Sequence, residues 1–270
     1  MITGINIVRN CIENGYPFAE SILSVYPICG EYLVNDGGST DGTLQALEEL
    51  REVYPRIRIH RIHDKPSVRW DSVSDQINQM IKQAKGDVVF LGNADELIHE
   101  EDLPKVENYA SSMGVDVLRF RRRETRRNWS GITEEYYEPA RLARNYADVH
   151  QDWNQYGGDE FLFSHGWVDP HRENTLPITL YHLFNMFPEN RLSKLRNDAE
   201  YLAPGDGARV AAYERQRRAA IEPYATPTSI YPNLPALAKG LPYMSKYRVR
   251  ECLYNVDWVE RVTGLSYSTS

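Results

Sequence analysis

Short apolar segments alternate with amphipathic helices over the first part of the chain, and this alternation limits the possible folds more than any other feature. Segments 5–8, 31–35 and 87–91 have the length and composition of buried strands. Segments 17–26 and 72–84 place their apolar residues at helical spacing. Strands and helices of these lengths in alternation predict an α/β fold, with a mainly parallel sheet flanked by helices.

Further elements continue this pattern. Segment 57–63 alternates polar and apolar residues, which predicts an exposed or edge strand. The segment 44–53 carries leucines on one helical face, and either Ser39 or Asp41 before it is suited to capping that helix. Another helix near 101–112 and a strand near 115–121 are expected to follow.

The pattern loosens after about residue 125, where aromatic and Gly-rich sequence predicts irregular strands and loops. Five prolines between 223 and 242 enforce extended or turning backbone. We therefore predict one domain over 1–187 and a helical, Pro-rich C-terminal extension over 188–270 that packs on it.

Composition narrows the functional classes. The chain has 270 residues, of which 41% are hydrophobic, so it can bury one substantial core. Its net charge of -7 argues against a general nucleic-acid-binding protein. No apolar run approaches the roughly 18 residues of a membrane span, and the first residues lack the features of a secretory signal. We expect a cytoplasmic protein with no integral membrane segment.

Two polar clusters directly follow predicted strands: DGGSTDGT at 36–43 and NADE at 93–96. Ligands of α/β sheets bind beyond the carboxyl ends of the strands, which is where both clusters are expected to lie. Gly37 and Gly38 would let the backbone approach a planar or phosphorylated ligand, although a simple capped turn explains the same residues.

Adjacent carboxylates in NADE repel each other unless a cation lies between them. Mg²⁺ and Mn²⁺ prefer oxygen ligands and often share them with substrate phosphates. A solvated acidic turn is the alternative, and it is the better interpretation of Glu100, Glu101 and Asp102, which complement a helix dipole. For Asp95, the position after a fully apolar strand favours a functional role.

The sequence also resembles a known family. VRNCIENGYPFAESILSVYPICGEYLVNDGGSTDGTLQAL and AKGDVVFLGNADELIHEEDL are similar to family 2 glycosyltransferases of the GT-A fold, over about residues 3–105. The resemblance implies transfer of a sugar, usually with inversion, from a nucleoside diphosphate sugar. UDP and GDP sugars are the expected donors, and a carbohydrate or another hydroxyl compound is the expected acceptor.

The resemblance also implies roles for individual residues. Asp36 would bind the base of the donor, and the wider set expected to contact the nucleotide sugar is Ile7, Arg9, Asn10, Asp36, Gly37, Gly38, Arg69, Asn93 and Ala94. The metal-binding acid of the family corresponds to Asp95, which would hold Mn²⁺ or Mg²⁺, with Glu96 and His182 as further candidate ligands. The family pattern has an acid where this chain has Asn93, so we expect weaker metal binding.

Acid–base catalysis requires a group that accepts the proton of the acceptor hydroxyl. Asp159 and Glu160 lie where the family usually places an acid, and only one of them would serve, although both can equally be surface charges. His165 competes with His182 as a late metal ligand. Arg119, Arg121 and Arg123 would share one face of a strand, suited either to binding phosphates or to salt bridges with nearby acids.

Two other functions remain compatible with these residues. A sugar nucleotidyltransferase shares the layered architecture and the metal-phosphate chemistry, but the chain lacks a Gly-rich, basic loop after its first strand. A non-catalytic nucleotide- or carbohydrate-binding protein is compatible with Asn93, and it would bind its ligand without turnover.

Overall fold

The computed structural model describes residues 1–61, 70–112, 114, 116–125, 132–134, 138–146, 149–151, 161–162, 173–183, 207–208, 211–212, 215, 234–241, 244 and 246–268. The helices and strands of these residues follow in chain order: β1 (Ile2–Val8), α1 (Cys11–Asn14), α2 (Phe18–Val25), β2 (Cys29–Asp36), α3 (Thr43–Val53), β3 (Ile57–His60), α4 (Trp70–Gln83), β4 (Val88–Gly92), β5 (Glu96–Ile98), α5 (Leu103–Ser111), β6 (Val117–Thr125), β7 (Ile132–Glu134), β8 (Ala140–Arg144), β9 (His150–Gln151), β10 (Phe161–Leu162), β11 (Glu173–His182) and α6 (Val256–Thr263).

One sheet dominates the described part of the chain, with strand order β3-β2-β1-β4-β8-β6-β11-β5 and with β7 paired to β6. The half formed by β3, β2, β1 and β4 is entirely parallel. In the other half β6 and β11 are parallel, whereas the pairings of β4 with β8, β6 with β8 and β11 with β5 are antiparallel. The α/β fold with a mostly parallel sheet is therefore confirmed, and β3 is the edge strand that the sequence predicted.

The second half of the sheet must curve strongly. β4 ends at Gly92 and β5 begins at Glu96, so four residue steps join two strands that are four positions apart in the sheet. Four residue steps span at most about 14 Å, whereas four positions across a flat sheet span about 19 Å. The strands β8, β6 and β11 consequently bow around this connection.

Helices cover both faces of the sheet. One core cluster joins the sheet to α2, α3, α5 and α6, and it includes Phe18, Leu47 and Val106. The other cluster lies between the sheet and α4, and it includes Ile77 and Met80. These residues occupy the helical positions that the sequence pattern assigned to a core. Among the described helices, none combines the length and apolar character needed to cross a bilayer.

A close approach inside the sheet depends on a glycine. The ring of Tyr32 lies directly over Gly4, and a Cβ atom on that residue would come within 2.5 Å of two ring carbons. The tyrosine hydroxyl then reaches Gly92, where a Cβ atom would lie 3.3 Å from it. Because Gly4 and Gly92 have no side chain, these two strand positions leave room for the large buried ring of Tyr32.

The C-terminal segment 234–268 is part of the same core. The hydroxyl of Tyr267 donates a hydrogen bond to the carbonyl of Leu23 in α2 at 2.9 Å, and that of Tyr54, which directly follows α3, donates to the carbonyl of Leu253 at 2.6 Å. Both tyrosine rings are buried. These contacts join described residues of this segment to the core. The predicted division into a domain over 1–187 and an extension over 188–270 stays a prediction, and its boundary lies outside the described residues.

A buried charge fastens this segment to α2. Glu20 has no exposed surface, and its carboxylate accepts hydrogen bonds from the Tyr247 hydroxyl at 3.0 Å and from Arg250 Nε at 3.2 Å. Burial raises the pKa of Glu20, and the nearby guanidinium of Arg250 opposes this rise. The carboxylate of Glu20 therefore depends on Arg250 for its compensation.

We predict that Arg250→Met destabilises the protein by roughly 3 kcal/mol at pH 8, because it leaves the buried carboxylate of Glu20 without its cation. The pKa of Glu20 in the folded state then rises further above its unfolded value of 4.5. When the pKa of a carboxyl group is higher in the folded than in the unfolded state, the free energy of unfolding falls as the pH rises from the unfolded to the folded pKa. The loss of stability caused by Arg250→Met should therefore be smaller at pH 5 than at pH 8. Urea unfolding at both pH values measures it.

The matched control is Arg248→Met, which changes an exposed arginine two residues away and should alter stability little. Adding Glu20→Gln to Arg250→Met should remove the additional pH dependence caused by Arg250→Met, because position 20 then no longer titrates. An equal loss of stability at pH 5 and pH 8 in Arg250→Met would contradict the assignment.

Candidate active site

Both predicted polar clusters lie at the carboxyl edge of the parallel strands. Val8 at the end of β1 pairs with Asp36 at the end of β2, and Asn6 pairs with Gly92 at the end of β4. Burial raises the pKa of the Cys11 thiol, and the carboxylates of Asp41, Asp95 and Asp36 raise it further. The carboxylates of Asp36 and Asp95 thus both act electrostatically on one sulfur atom at this edge.

The loop after β2 is organised by its own first residue. Asp36 accepts backbone hydrogen bonds from Gly38 at 3.2 Å and from Ser39 at 3.1 Å, and Gly38 adopts a φ of 85° that favours glycine. Arg61 Nε lies 4.0 Å from Asp36 Oδ2, and the Asp36 side chain has no exposed surface. Contact between Asp36 and a base stays a prediction, and it requires the surroundings of this carboxylate to move.

Asn10 connects the end of β1 to this loop. Its backbone N–H donates to Ser39 Oγ at 3.0 Å, and its side-chain Oδ1 accepts from the Thr40 N–H at 2.8 Å. Asn10 has a φ of 46°, in the left-handed region that few residues other than glycine adopt. The structure therefore gives Asn10 a loop-holding role, and its predicted contact with the nucleotide sugar remains a prediction.

Neighbouring residues complete this edge. Asp41 accepts hydrogen bonds from the Glu13 N–H at 2.7 Å and from the Thr43 N–H at 3.0 Å. The N-cap residue of α3 is Gly42, so neither of the two predicted candidates, Ser39 and Asp41, occupies the cap position. Ile7 packs against the core on the α4 side. A Cβ atom on Gly37 would lie 3.5 Å from Arg9 Cβ, which places Arg9 beside the loop.

The connection between β4 and β5 is held by backbone and hydroxyl contacts. The Ser21 hydroxyl in α2 donates to the carbonyl of Asn93 at 2.6 Å, and the Glu96 N–H donates to the same carbonyl at 3.2 Å. The carbonyl of Asp95 accepts from the Leu183 N–H at 2.7 Å. The segment 93–95 is thus a fixed turn, with α2 on one side and the end of β11 on the other.

Asp95 and His182 meet at this turn, although they are far apart in the sequence. β11 runs antiparallel to β5, which pairs His182 with Glu96 and brings its ring beside Asp95. His182 Nε2 lies 3.2 Å from Asp95 Oδ2, and the two side chains are 13% and 10% exposed. Two of the predicted metal ligands are therefore in contact, with a small part of each facing solvent.

Glu96 takes a different role from the predicted one. Its two carboxylate oxygens accept hydrogen bonds from Arg141 Nε at 2.7 Å and Nη2 at 2.8 Å, and both side chains are almost completely buried. A carboxylate held by an arginine fork within the protein is not available as a metal ligand. We therefore correct the sequence-based interpretation and remove Glu96 from the candidate metal site.

The contact between Asp95 and His182 fits a divalent cation. A carboxylate oxygen and an imidazole nitrogen are both suitable ligands for Mn²⁺, and Mg²⁺ prefers the oxygen. Adjacent ligands of an octahedral ion lie roughly 3 Å apart, close to the observed 3.2 Å. Within the described ranges there is no cluster of three or more acidic, histidine or cysteine ligands. Such an ion would take its other ligands from diphosphate oxygens and water.

Several predicted residues cannot be placed. Arg69, Asp159, Glu160 and His165 lie outside the described residues, so their roles remain predictions. Within the arginine cluster, Arg119 Nη1 donates to the carbonyl of Glu138 at 3.0 Å and Arg121 Nε lies 4.0 Å from Glu138 Oε1. Arg121 therefore lies beside an acid, as the salt-bridge interpretation expects, whereas Arg119 binds a backbone carbonyl.

Three residues at the site were missed by sequence reasoning. Arg141 interrupts the apolar strand β8, and an arginine inside a buried strand signals that an acid must lie nearby. Arg61 directly follows β3, whose carboxyl end lies beside that of β2. Ser21 gives no such signal, because a serine on a predicted helix is usually exposed.

We predict that Asn10→Ala costs about 1–3 kcal/mol of stability, because it removes the acceptor for the Thr40 N–H and places a strained φ on alanine. Asn10→Gly is the matched comparison, since it loses the same acceptor without the strain and should cost about 1 kcal/mol less. Urea unfolding measures both. Equal stability of the two variants would show that the left-handed backbone of Asn10 stores no strain.

Comparison with known proteins agrees with this geometry. The family model described as "Glycosyl transferase family 2" matches residues 16–164. No curated protein sequence matches the chain.

Among solved structures, S. aureus TarS 1-349 is 17% identical with a TM-score of 0.49, over 82% of this chain and 70% of that one. The mannosyltransferase PcManGT from Pyrobaculum calidifontis, in complex with GDP-Man and Mn²⁺, is 16% identical with a TM-score of 0.47, over 97% and 72% of the two chains. Since the family model covers more than half of the sequence, the chain belongs to glycosyl transferase family 2 and is a nucleotide-sugar-dependent glycosyltransferase.

Proposed function

We propose that this glycosyltransferase is metal-dependent and inverting, and that it transfers a sugar from a UDP or GDP sugar to an acceptor hydroxyl. The observation that carries the proposal is the contact between Asp95 and His182, 3.2 Å apart at the carboxyl edge of the sheet. Both ligand types suit a divalent cation, and both side chains keep some exposure to solvent. The family supplies the reaction class, and this pair supplies the reason to expect a metal.

Negative charge develops on the diphosphate as its bond to the sugar breaks. A bound Mn²⁺ or Mg²⁺ would stabilise that charge as a Lewis acid. Asp95 and His182 would hold the ion, and the rigid turn at 93–95 would fix its position relative to the sheet. Arg61, whose side chain is 53% exposed at the same edge, presents a guanidinium that is suited to a diphosphate oxygen.

The loop 36–43 is the proposed donor-binding surface. Gly37 and Gly38 expose backbone to an approaching ligand, and Arg9 lies beside them. Asn93 stands where the family pattern has an acid, and it adds an amide rather than a second charge to the metal side of the pocket. Asn93 is neutral and Glu96 is bound by Arg141. Asp95 is therefore the acid of this turn that we propose as the metal ligand.

Transfer with inversion needs a base that removes the proton of the acceptor hydroxyl as the bond to the sugar forms. We propose Asp159 or Glu160 for this step, as the sequence predicted. One of these two acids would accept the proton directly. The other would stay at the surface, so that only one substitution should abolish transfer while leaving nucleotide binding intact.

We predict that UDP or GDP raises the melting temperature of the wild-type protein by about 5–10 °C in the presence of Mn²⁺, when the nucleotide is at 100 times its Kd. Asp95→Ala and His182→Ala should each abolish the part of the shift that depends on Mn²⁺, because each removes one of the two protein ligands. Differential scanning fluorimetry with and without EDTA measures this.

Asp87→Ala is the matched control, because Asp87 lies at the opposite end of the β4 segment with a side chain that is 84% exposed. It should keep the full Mn²⁺-dependent shift. Release of free UDP or GDP from the corresponding sugars then tests catalysis. A shift that is the same in EDTA, or one that survives both site substitutions, would refute the proposed metal dependence.

A further inference from the structure

We propose that Arg141 and Glu96 form a positioning pair that directs Asp95 toward His182. The metal-binding consequence rests on the proposed function, whereas the positioning itself does not. Glu96 directly follows Asp95 in the chain and opposes His182 across the β5–β11 pairing. A contact that fixes Glu96 therefore also restrains Asp95 and the register between β5 and β11.

The contact between Glu96 and Arg141 has the geometry needed for such a role. Two parallel hydrogen bonds of 2.7 and 2.8 Å join an arginine fork to a carboxylate, which restrains direction as well as distance. Arg141 Nη1 also donates to the carbonyl of Ala140 at 2.9 Å, so the guanidinium is itself held in place. Neither side chain has the freedom of a surface ion pair.

The pair also crosses the curved half of the sheet. Arg141 belongs to β8, the neighbour of β4, whereas Glu96 begins β5 at the far edge. The chain passes between these two strands through the turn 93–95. The ion pair between Arg141 and Glu96 links β8 to β5 across this turn. It therefore holds the two ends of the turn at a constant separation.

Stability alone does not account for a buried ion pair at this place. Removing two charges from water is costly, and apolar side chains of similar size often give equal or greater stability. Other contacts already hold the turn, from the Ser21 hydroxyl and the Glu96 N–H to the carbonyl of Asn93 and from the Leu183 N–H to the carbonyl of Asp95. These contacts act on the backbone, whereas the Arg141 fork fixes the direction of the Glu96 side chain with two parallel hydrogen bonds.

The test replaces both charges with apolar side chains, in the double variant Glu96→Met and Arg141→Met. The double substitution avoids an unpaired buried charge, so the protein should unfold at a urea concentration close to that of the wild type. Amide hydrogen exchange at Leu183, which donates to Asp95, reports the turn directly. We expect its exchange to become at least about tenfold faster, while that of Ile5 in the central strand is unchanged.

Metal binding is the second measurement. Mn²⁺ is titrated into the protein with UDP and, separately, with GDP, and free Mn²⁺ is followed by electron paramagnetic resonance. The Kd for Mn²⁺ should rise about 10- to 100-fold in the double variant, the range found when residues that orient metal ligands are removed. Arg58→Met is the matched control, because it breaks an ion pair with Glu31 away from this turn. It should leave both the Leu183 exchange and the Kd unchanged.

The outcomes separate the two proposals. If the wild type shows no Mn²⁺ binding with either nucleotide, the proposed metal dependence fails, and Leu183 exchange still decides whether the pair positions the turn. Wild-type exchange at Leu183 in the double variant overturns the positioning role. Faster exchange with an unchanged Kd for Mn²⁺ also overturns it, because the pair would then act on the fold without reaching the ligands.

Discussion

The connection between β4 and β5 is the constraint on which the rest of the structure depends. Three residues, 93–95, join strands that would be separated by more than their reach if the sheet were flat. The sheet can form only by curving, and the curvature brings the end of β11 back beside the turn. His182 meets Asp95 for this reason. The candidate site is thus a consequence of sheet closure rather than an addition to a finished fold.

Helix α2 links this turn to the C-terminal segment. All eight of its residues are buried, including the polar side chains of Glu20, Ser21 and Ser24. Ser21 holds the carbonyl of Asn93, and its neighbour Glu20 binds Tyr247 and Arg250 from the C-terminal segment. Polar groups inside a buried helix need partners, and here those partners belong to the 93–95 turn and to the C-terminal segment. Support for the turn therefore comes partly from residues that are distant in the sequence.

Most strands and helices of the first half follow directly from the sequence, because hydrophobic period and strand-end polarity are local properties. The short elements α1 and β5 were not predicted. Asp36 and Asp95 were predicted to share one edge of the sheet, and the register of β1, β2 and β4 places both there. Glu96 was misinterpreted because its partner Arg141 lies 45 positions away, and no local pattern pairs them. Arg61 was missed since its approach to Asp36 depends on the pairing of β2 with β3.

Two adjacent acids after a buried strand pose an electrostatic problem, and the structure gives each acid its own basic partner. Glu96 is compensated by Arg141 inside the protein, while Asp95 lies beside His182 at the edge that faces solvent. Arginine stays charged at any physiological pH, whereas an imidazole can be neutral and bind a metal. The fixed charge therefore serves the acid that holds the fold together. The adaptable partner serves Asp95, the acid of the proposed metal site, so adjacent residues of one motif divide structure and proposed chemistry between them.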